Sequence, residues 1–314
     1  MGLLIALGIA VLAFWGFGAI WFRGLPVLGV LYGILALAAI WGVYSADFRF
    51  WIGFALASVV LCIWWIRIEP RLDLNWQEAL RHTVTGQIEG DIVRLHNIRD
   101  FDWQADGTVN ARWYDDDFRL SEIASVDVIL SYWDSPRIAH TLVSFGFQDG
   151  RYVTFSVEIR KQVGQEFSTI GGFFKEYELA FVAATERDIV RLRTSVRDPR
   201  EEVYLYPIKT TLEDRIDLFK AYVERANQLA GTPEFYHTIT ANCTTVVYAL
   251  VKQFRPDVRF DKSILVSGDL PEMFEKRDML DWDAPLGDVR ARARINARAD
   301  AVTGAEEFSH KIRE

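Results

Sequence analysis

Three apolar runs fill the first 66 residues, and they restrict the chain more than anything that follows. Gly2 to Phe22, Leu25 to Tyr44 and Phe50 to Ile66 carry no charge; only Arg23, Asp47 and Arg49 interrupt the stretch. The first two have the length an α-helix needs to cross hydrocarbon, about 20 residues, and the third is slightly shorter. Lipid offers no partner to a backbone N–H or C=O, so a spanning segment must pair its own, and a helix does. The turns between the runs are so short that the helices must form an antiparallel bundle. A cleaved signal peptide fits poorly, because no positive residues precede the first run and a second span follows at once. Trp51, Trp64 and Trp65 stand where an interfacial aromatic belt would. With no ionisable group mid-span, the bundle reads as an anchor without activity of its own.

The expected division is a three-helix transmembrane anchor over 1–67 and a soluble α+β domain over 68–314. An odd number of spans puts the N-terminus and this domain on opposite sides of the membrane. Arg67, Arg71 and Arg81 follow the third span, and the positive-inside rule taken alone places the domain in the cytoplasm. The net charge of −8 and the lack of a basic face argue against nucleic acid as a partner. The two cysteines cannot form a disulfide framework, since Cys62 lies within the third apolar run. No CxxC, HExxH or paired His/Cys spacing is present, so no metal and no cofactor is expected.

Cys243 is the lone thiol of the soluble part. Val246, Val247, Leu250, Val251 and Phe254 recur behind it at helical spacing, which puts Cys243 in the first turn of a helix with Thr240 or Asn242 as N-cap. Unpaired N–H groups and the helix dipole favour a thiolate there. Asn242 has two readings, a helix cap or an amide that supports an oxyanion.

A thiol nucleophile needs a base, and the base needs an orienting group. Ile138 to Phe147 and Tyr152 to Lys161 read as strands around Gln148-Asp149-Gly150. A three-residue loop with Gly150 left-handed pairs Phe147 with Arg151, and that register sets Leu142 opposite Ser156 and His140 opposite Glu158. A two-residue loop would turn His140 to the other face. His140 is therefore the expected base and Glu158 its partner, with His237, six residues before Cys243, as the rival. No GxSxG motif supports a serine hydrolase.

The remaining elements follow from pattern. Glu178 to Ala184 and Val203 to Ile208 read as strands, and Thr211 to Ala230 as a helix opened by a Thr211/Asp214 capping box and stopped at Gly231. Asp115-Asp116-Asp117 reads as a solvated turn, and the Arg-rich run Asp288 to Ala301 as a solvated helix.

The runs Ala139 to Phe147, Tyr177-Glu178-Leu179, Arg187 to Thr194 and Phe235 to Thr245 resemble, in the same order, the family of the N-terminal periplasmic domain of the bacterial lipoprotein N-acyltransferase Lnb. The resemblance covers roughly Asn97 to Val251 and implies a circularly permuted papain-like (NlpC-type) domain, with His140, then Glu158, then Cys243 in permuted order. It implies Cys243 as acyl-accepting nucleophile, His140 as base and Glu158 as orienter, and it marks Tyr177 and Arg193 without giving them a role. It also implies a domain facing the periplasm from the bacterial inner membrane, against the charge rule. Here the spans precede the domain, whereas the resembled enzyme carries its membrane region after it.

The expected function is a membrane-anchored cysteine acyltransferase that forms a thioester on Cys243 and passes an acyl group from a membrane lipid or lipoprotein to an amine. A cysteine peptidase or amidase of the cell envelope and a non-enzymatic envelope sensor or assembly module are the alternatives. An apolar groove beside Cys243 would favour the first and a polar cleft the second, while a wide separation of His140 and Cys243 would favour the third.

Overall fold

The computed structural model describes residues 2–45, 47–104, 108–133, 135–282, 284–302 and 307–314. The chain falls into two compact units: residues 1–74 with 165–178 and 234–238, and residues 75–164 with 179–233 and 239–314.

The first unit is built on α1 (Gly2–Trp21), α2 (Pro26–Ser45) and α3 (Phe48–Ile66), each long and apolar enough to cross a membrane. Ile20, Tyr32, Ala36, Ala39, Phe54 and Leu61 make its core. A buried polar pair in the bundle satisfies itself: the Tyr32 hydroxyl lies 2.8 Å from Ser58 Oγ, which donates to the Phe54 carbonyl at 2.8 Å. Asp47 caps α3 by accepting from the Arg49 amide at 3.1 Å.

The second unit is a mixed α+β domain. Its strands are β1 (Thr85–Glu89), β2 (Ile92–Arg99), β3 (Asp102–Trp103), β4 (Val109–Asn110), β5 (Trp113–Arg119), β6 (Ile123–Tyr132), β7 (Ala139–Phe147), β8 (Tyr152–Arg160), β9 (Glu178–Ala184) and β10 (Glu202–Pro207). The helices that follow the bundle are α4 (Glu186–Arg191), α5 (Leu212–Gly231), α6 (Thr245–Phe254), α7 (Leu270–Lys276), α8 (Leu286–Ala293), α9 (Asn296–Asp300) and α10 (Phe308–Lys311). One sheet runs β1-β2-β9-β8-β7-β6-β10, with β5 also paired to β2. β6, β7 and β8 are consecutive antiparallel neighbours at its centre.

The β7–β8 turn has the three-residue form: the Phe147 amide donates to the Arg151 carbonyl at 2.9 Å, and Gly150 takes φ +86°, where a side chain would be strained. Leu142 faces Ser156, as that loop requires. Successive β7 side chains alternate between faces. Phe145, with Phe155 of β8, packs against Phe219 and Tyr222 of α5, in edge-to-face and stacked contacts 4.8–6.0 Å apart. Leu142 joins the core on the opposite face with Ile129, Val182, Ile189 and Leu205. On that face Arg313 donates to Asp127 and Glu186, each at 2.6 Å, and both carboxylates are buried.

Two expectations need correction. Asp115, Asp116 and Asp117 lie within β5 instead of in a turn, each paired with a cation or imidazole: His96, Arg151 and Arg94. Cross-strand partners on β2 give the two outer aspartates a place in a strand that propensity denies them. The Arg-rich run is two short helices, α8 and α9, because Ile295 is fully buried and donates its amide to the Val203 carbonyl at 2.9 Å. Its arginines make surface ion pairs, Arg290 with Glu272 and Arg294 with Glu202.

Candidate active site

Cys243 is held at the start of α6. The Asn242 carbonyl accepts from the Val246 amide at 3.1 Å, so helical bonding begins there, two residues before the regular helix. Asn242 Oδ1 accepts from the amides of Thr244 and Thr245, both at 2.9 Å. Of the two roles open to Asn242, the side-chain oxygen performs the cap, and Cys243 takes the first helical position, among N–H groups that favour an anion. Asn242→Ala is expected to cost about 1 kcal/mol, the usual worth of an N-cap. Thermal denaturation of the detergent-solubilised protein would measure it as a small drop in Tm.

His140 stands on β7 and is electrostatically coupled to the Cys243 thiol. Its Nε2 lies 2.7 Å from Ser156 Oγ and 3.2 Å from Glu158 Oε1, which leaves Nδ1 as the nitrogen for the sulfur. Ser156 Oγ donates to Glu158 Oε1 at 2.7 Å. With its proton on that carboxylate, the hydroxyl accepts from the imidazole. Glu158 is fixed in turn by Arg193, whose Nη2 donates to Oε1 at 2.9 Å. Arg193 is buried, also donates to the Ile189 carbonyl at 2.8 Å, and faces a second buried carboxylate, Glu201, at 3.9 Å. It stands in a π-helical turn, Leu192–Val196, that continues α4. Such turns interrupt α-helices chiefly at functional sites.

The electrostatics follow from this chain of contacts. Burial favours neutral imidazole, but the Glu158 carboxylate and the Cys243 thiolate outweigh it, and the His140 pKa rises to about 9. Burial also opposes ionisation of Cys243, yet the charge and hydrogen bond of His140, the Thr141 amide and the Thr244 hydroxyl bring its pKa below the usual thiol value. Glu158, although buried, is held well below the carboxylate range by His140, Arg193 and Ser156. Each shift favours the charged form of its group: thiolate, imidazolium and carboxylate.

The structure thus joins Cys243, His140, Glu158 and Asn242 in one place. His237 belongs to the first unit, where it packs edge-on to Phe173 at 5.4 Å. Tyr177 is also part of that unit, buried and donating its hydroxyl to the Glu166 carbonyl at 2.7 Å. Ser156 was not anticipated, although the register that pairs it with Leu142 put it one strand period from Glu158. Arg193 was marked only as a motif position; its ion pair spans 35 residues and no local pattern announces it.

A mixed α+β domain follows three membrane-length helices in the chain and carries a cysteine whose pKa is lowered beside a strand histidine. Residues 110–291, more than half of the chain, match the Lnb N-terminal periplasmic domain. The chain belongs to that family, whose description places its domain in the periplasm. No curated protein and no solved structure matches the chain.

Proposed function

We propose that this protein is a cysteine acyltransferase anchored in the bacterial inner membrane, with its α+β domain in the periplasm and its site arranged as in a permuted papain-like enzyme. The observation that carries the reading is the Cys243 thiolate, paired with His140 beside an apolar cavity. The cavity has a volume of about 600 Å³. Val128, Val143, Val247, Val251, Leu270 and Met273 line its apolar part, Thr141 and Thr244 border it, and charged residues such as Lys209, Asp214, Arg255 and Arg277 also line it. Those two threonines contact each other at 3.2 Å, and Thr244 Oγ1 lies 3.8 Å from the Cys243 sulfur. An apolar space of this size suits a hydrocarbon substituent better than a peptide backbone, which needs hydrogen-bond partners.

In the proposed reaction the thiolate attacks the ester carbonyl of a lipid or lipoprotein glyceride. The carbonyl π pair moves to oxygen, and the Thr141 amide beside the sulfur is a donor to that oxyanion. As the tetrahedral adduct collapses, the ester C–O bond breaks and His140 gives its proton to the departing alkoxide, leaving a thioester on Cys243. An amine then attacks the thioester. His140 takes a proton from the nitrogen, the C–S bond breaks, and the thiolate returns with an amide as product. Glu158, held by Arg193 and Ser156, stabilises the imidazolium at each stage.

Mass spectrometry of the membrane-extracted protein is expected to find a fatty-acyl mass on the peptide that holds Cys243. Hydroxylamine should remove it, and Cys243→Ser should lack the thioester. Absence of the adduct together with rapid labelling of Cys243 by a thiol reagent would shift the reading to an envelope hydrolase with water as acceptor. An inert Cys243 would end both enzyme readings and leave a sensor or assembly module.

A further inference from the structure

We propose that residues 165–178, far from the spanning helices in sequence, form a lipid-contacting element that seats Phe167, Ile170 and Phe173 at the boundary between headgroups and acyl chains. Three apolar side chains at a spacing of three residues stand exposed on this segment, at 48%, 59% and 39%. In water they would be a liability; the rest of the segment shows what covers them.

The segment is fastened to the ends of two membrane-length helices. Phe174 stacks on Phe22, just past the end of α1, with ring centres 5.4 Å apart and planes within 9°. The Phe174 ring also lies against Gly18 so closely that a Cβ there would be 2.4 Å from Cζ. Gly18 is three residues inside the end of α1, about 4.5 Å along the helix axis, so the segment reaches into the depth of the span. Lys175 fixes the other side. Its Nζ donates to the carbonyls of Trp65 at 2.9 Å and Ile68 at 3.2 Å, capping the C-terminal end of α3, and sits 5.1 Å above the Trp65 ring. Arg23, in the α1–α2 turn, donates to the Lys175 carbonyl at 2.8 Å.

Helices of this composition end at a bilayer surface, and Trp and Lys at their ends mark that surface. A segment clamped to both ends is held at the same level, with its apolar side chains directed to whatever surrounds the bundle. The occupant that follows by continuity is the bilayer itself. Interfacial elements of this kind bury their apolar face about 5–10 Å into the headgroup and acyl boundary. The inference rests on the spanning character of α1–α3 and not on the chemistry at Cys243.

The test uses the full chain with Cys62→Ala and Cys243→Ser, reconstituted in phosphatidylethanolamine/phosphatidylglycerol vesicles. Single cysteines at Phe167, Ile170, Leu56 or Glu213 would carry an environment-sensitive fluorophore. Leu56 is an exposed position within α3, and Glu213 an exposed one in the first turn of α5. Lipid brominated near the top of its acyl chains is expected to quench the Phe167 and Ile170 probes roughly twofold or more beyond the Glu213 probe. Deep bromination should act most on Leu56. Quenching at Phe167 and Ile170 no greater than at Glu213 would overturn the proposal and reassign the cluster to a protein partner.

Discussion

His140→Ala is expected to lower turnover by roughly three orders of magnitude and to shift the alkylation profile of Cys243 toward alkaline pH. The folded His140 keeps its proton up to about pH 9, against an ordinary value of 6.5. Its favourable interaction is therefore complete below about pH 6.5 and fades as the pH rises through 9. Cys243 shifts the opposite way and ionises below the usual thiol range. Between the two limits both charges are present, and they titrate as a coupled pair. In the unaltered protein the iodoacetamide rate should rise at a lower pH than that of a free thiol. Without His140 it should follow a free thiol, rising around pH 8.5 or above. An unaltered protein that reacts with an inflection near 8.5 would show the thiol to be unpaired.

Arg193→Met is expected to remove about 3–5 kcal/mol of stability, the cost of leaving buried charge without its partner. Arg193 serves two carboxylates at once, Glu158 and Glu201, both buried or nearly so. Arg197 also pairs with Glu201, so Glu158 would lose more than Glu201. The expected signature is a large fall in Tm accompanied by a functional change that a merely structural residue would not cause. With Arg193 gone, Glu158 stays ionised at alkaline pH while a neighbouring cation is lost, so imidazolium is favoured and the alkaline limb of the pH–rate profile moves to higher pH. Glu158→Gln should shift it the opposite way, since it removes the carboxylate that raises the His140 pKa. Arg193→Lys should rescue part of the stability, because the charge returns without the planar fork that spans two acceptors. An unchanged pH profile in Arg193→Met would make Arg193 a packing residue only.

Much of this site was legible because it rests on local patterns. The apolar runs needed no tertiary context: their length and lack of charge leave few alternatives to spanning helices. The β7–β8 register followed from one glycine, and the register alone put His140 across from Glu158. α5 announced itself by its capping box and by the stripe Leu212, Ile216, Phe219, Val223, Ala226 and Ala230, of which Phe219, Val223 and Ala226 are buried. What escaped was long-range. Arg193 reaches Glu158 from a helix that only the folded sheet brings near, and three consecutive aspartates joined a strand because cations and an imidazole meet them there. Residues 165–178 carry no membrane signal of their own; they gain one through Phe22, Gly18 and Trp65.

The placement of Arg313 bears on the order in which the chain matures. Asp127 and Glu186 are synthesised 186 and 127 residues before the guanidinium that neutralises them. Burial pushes the Asp127 pKa upward even with Arg313 in place, while Glu186 is held down chiefly by Arg313. Until that arginine arrives, closing this face of the sheet means burying two like charges without a counterion. Closing this face of the sheet therefore becomes favourable only once Arg313 is in place.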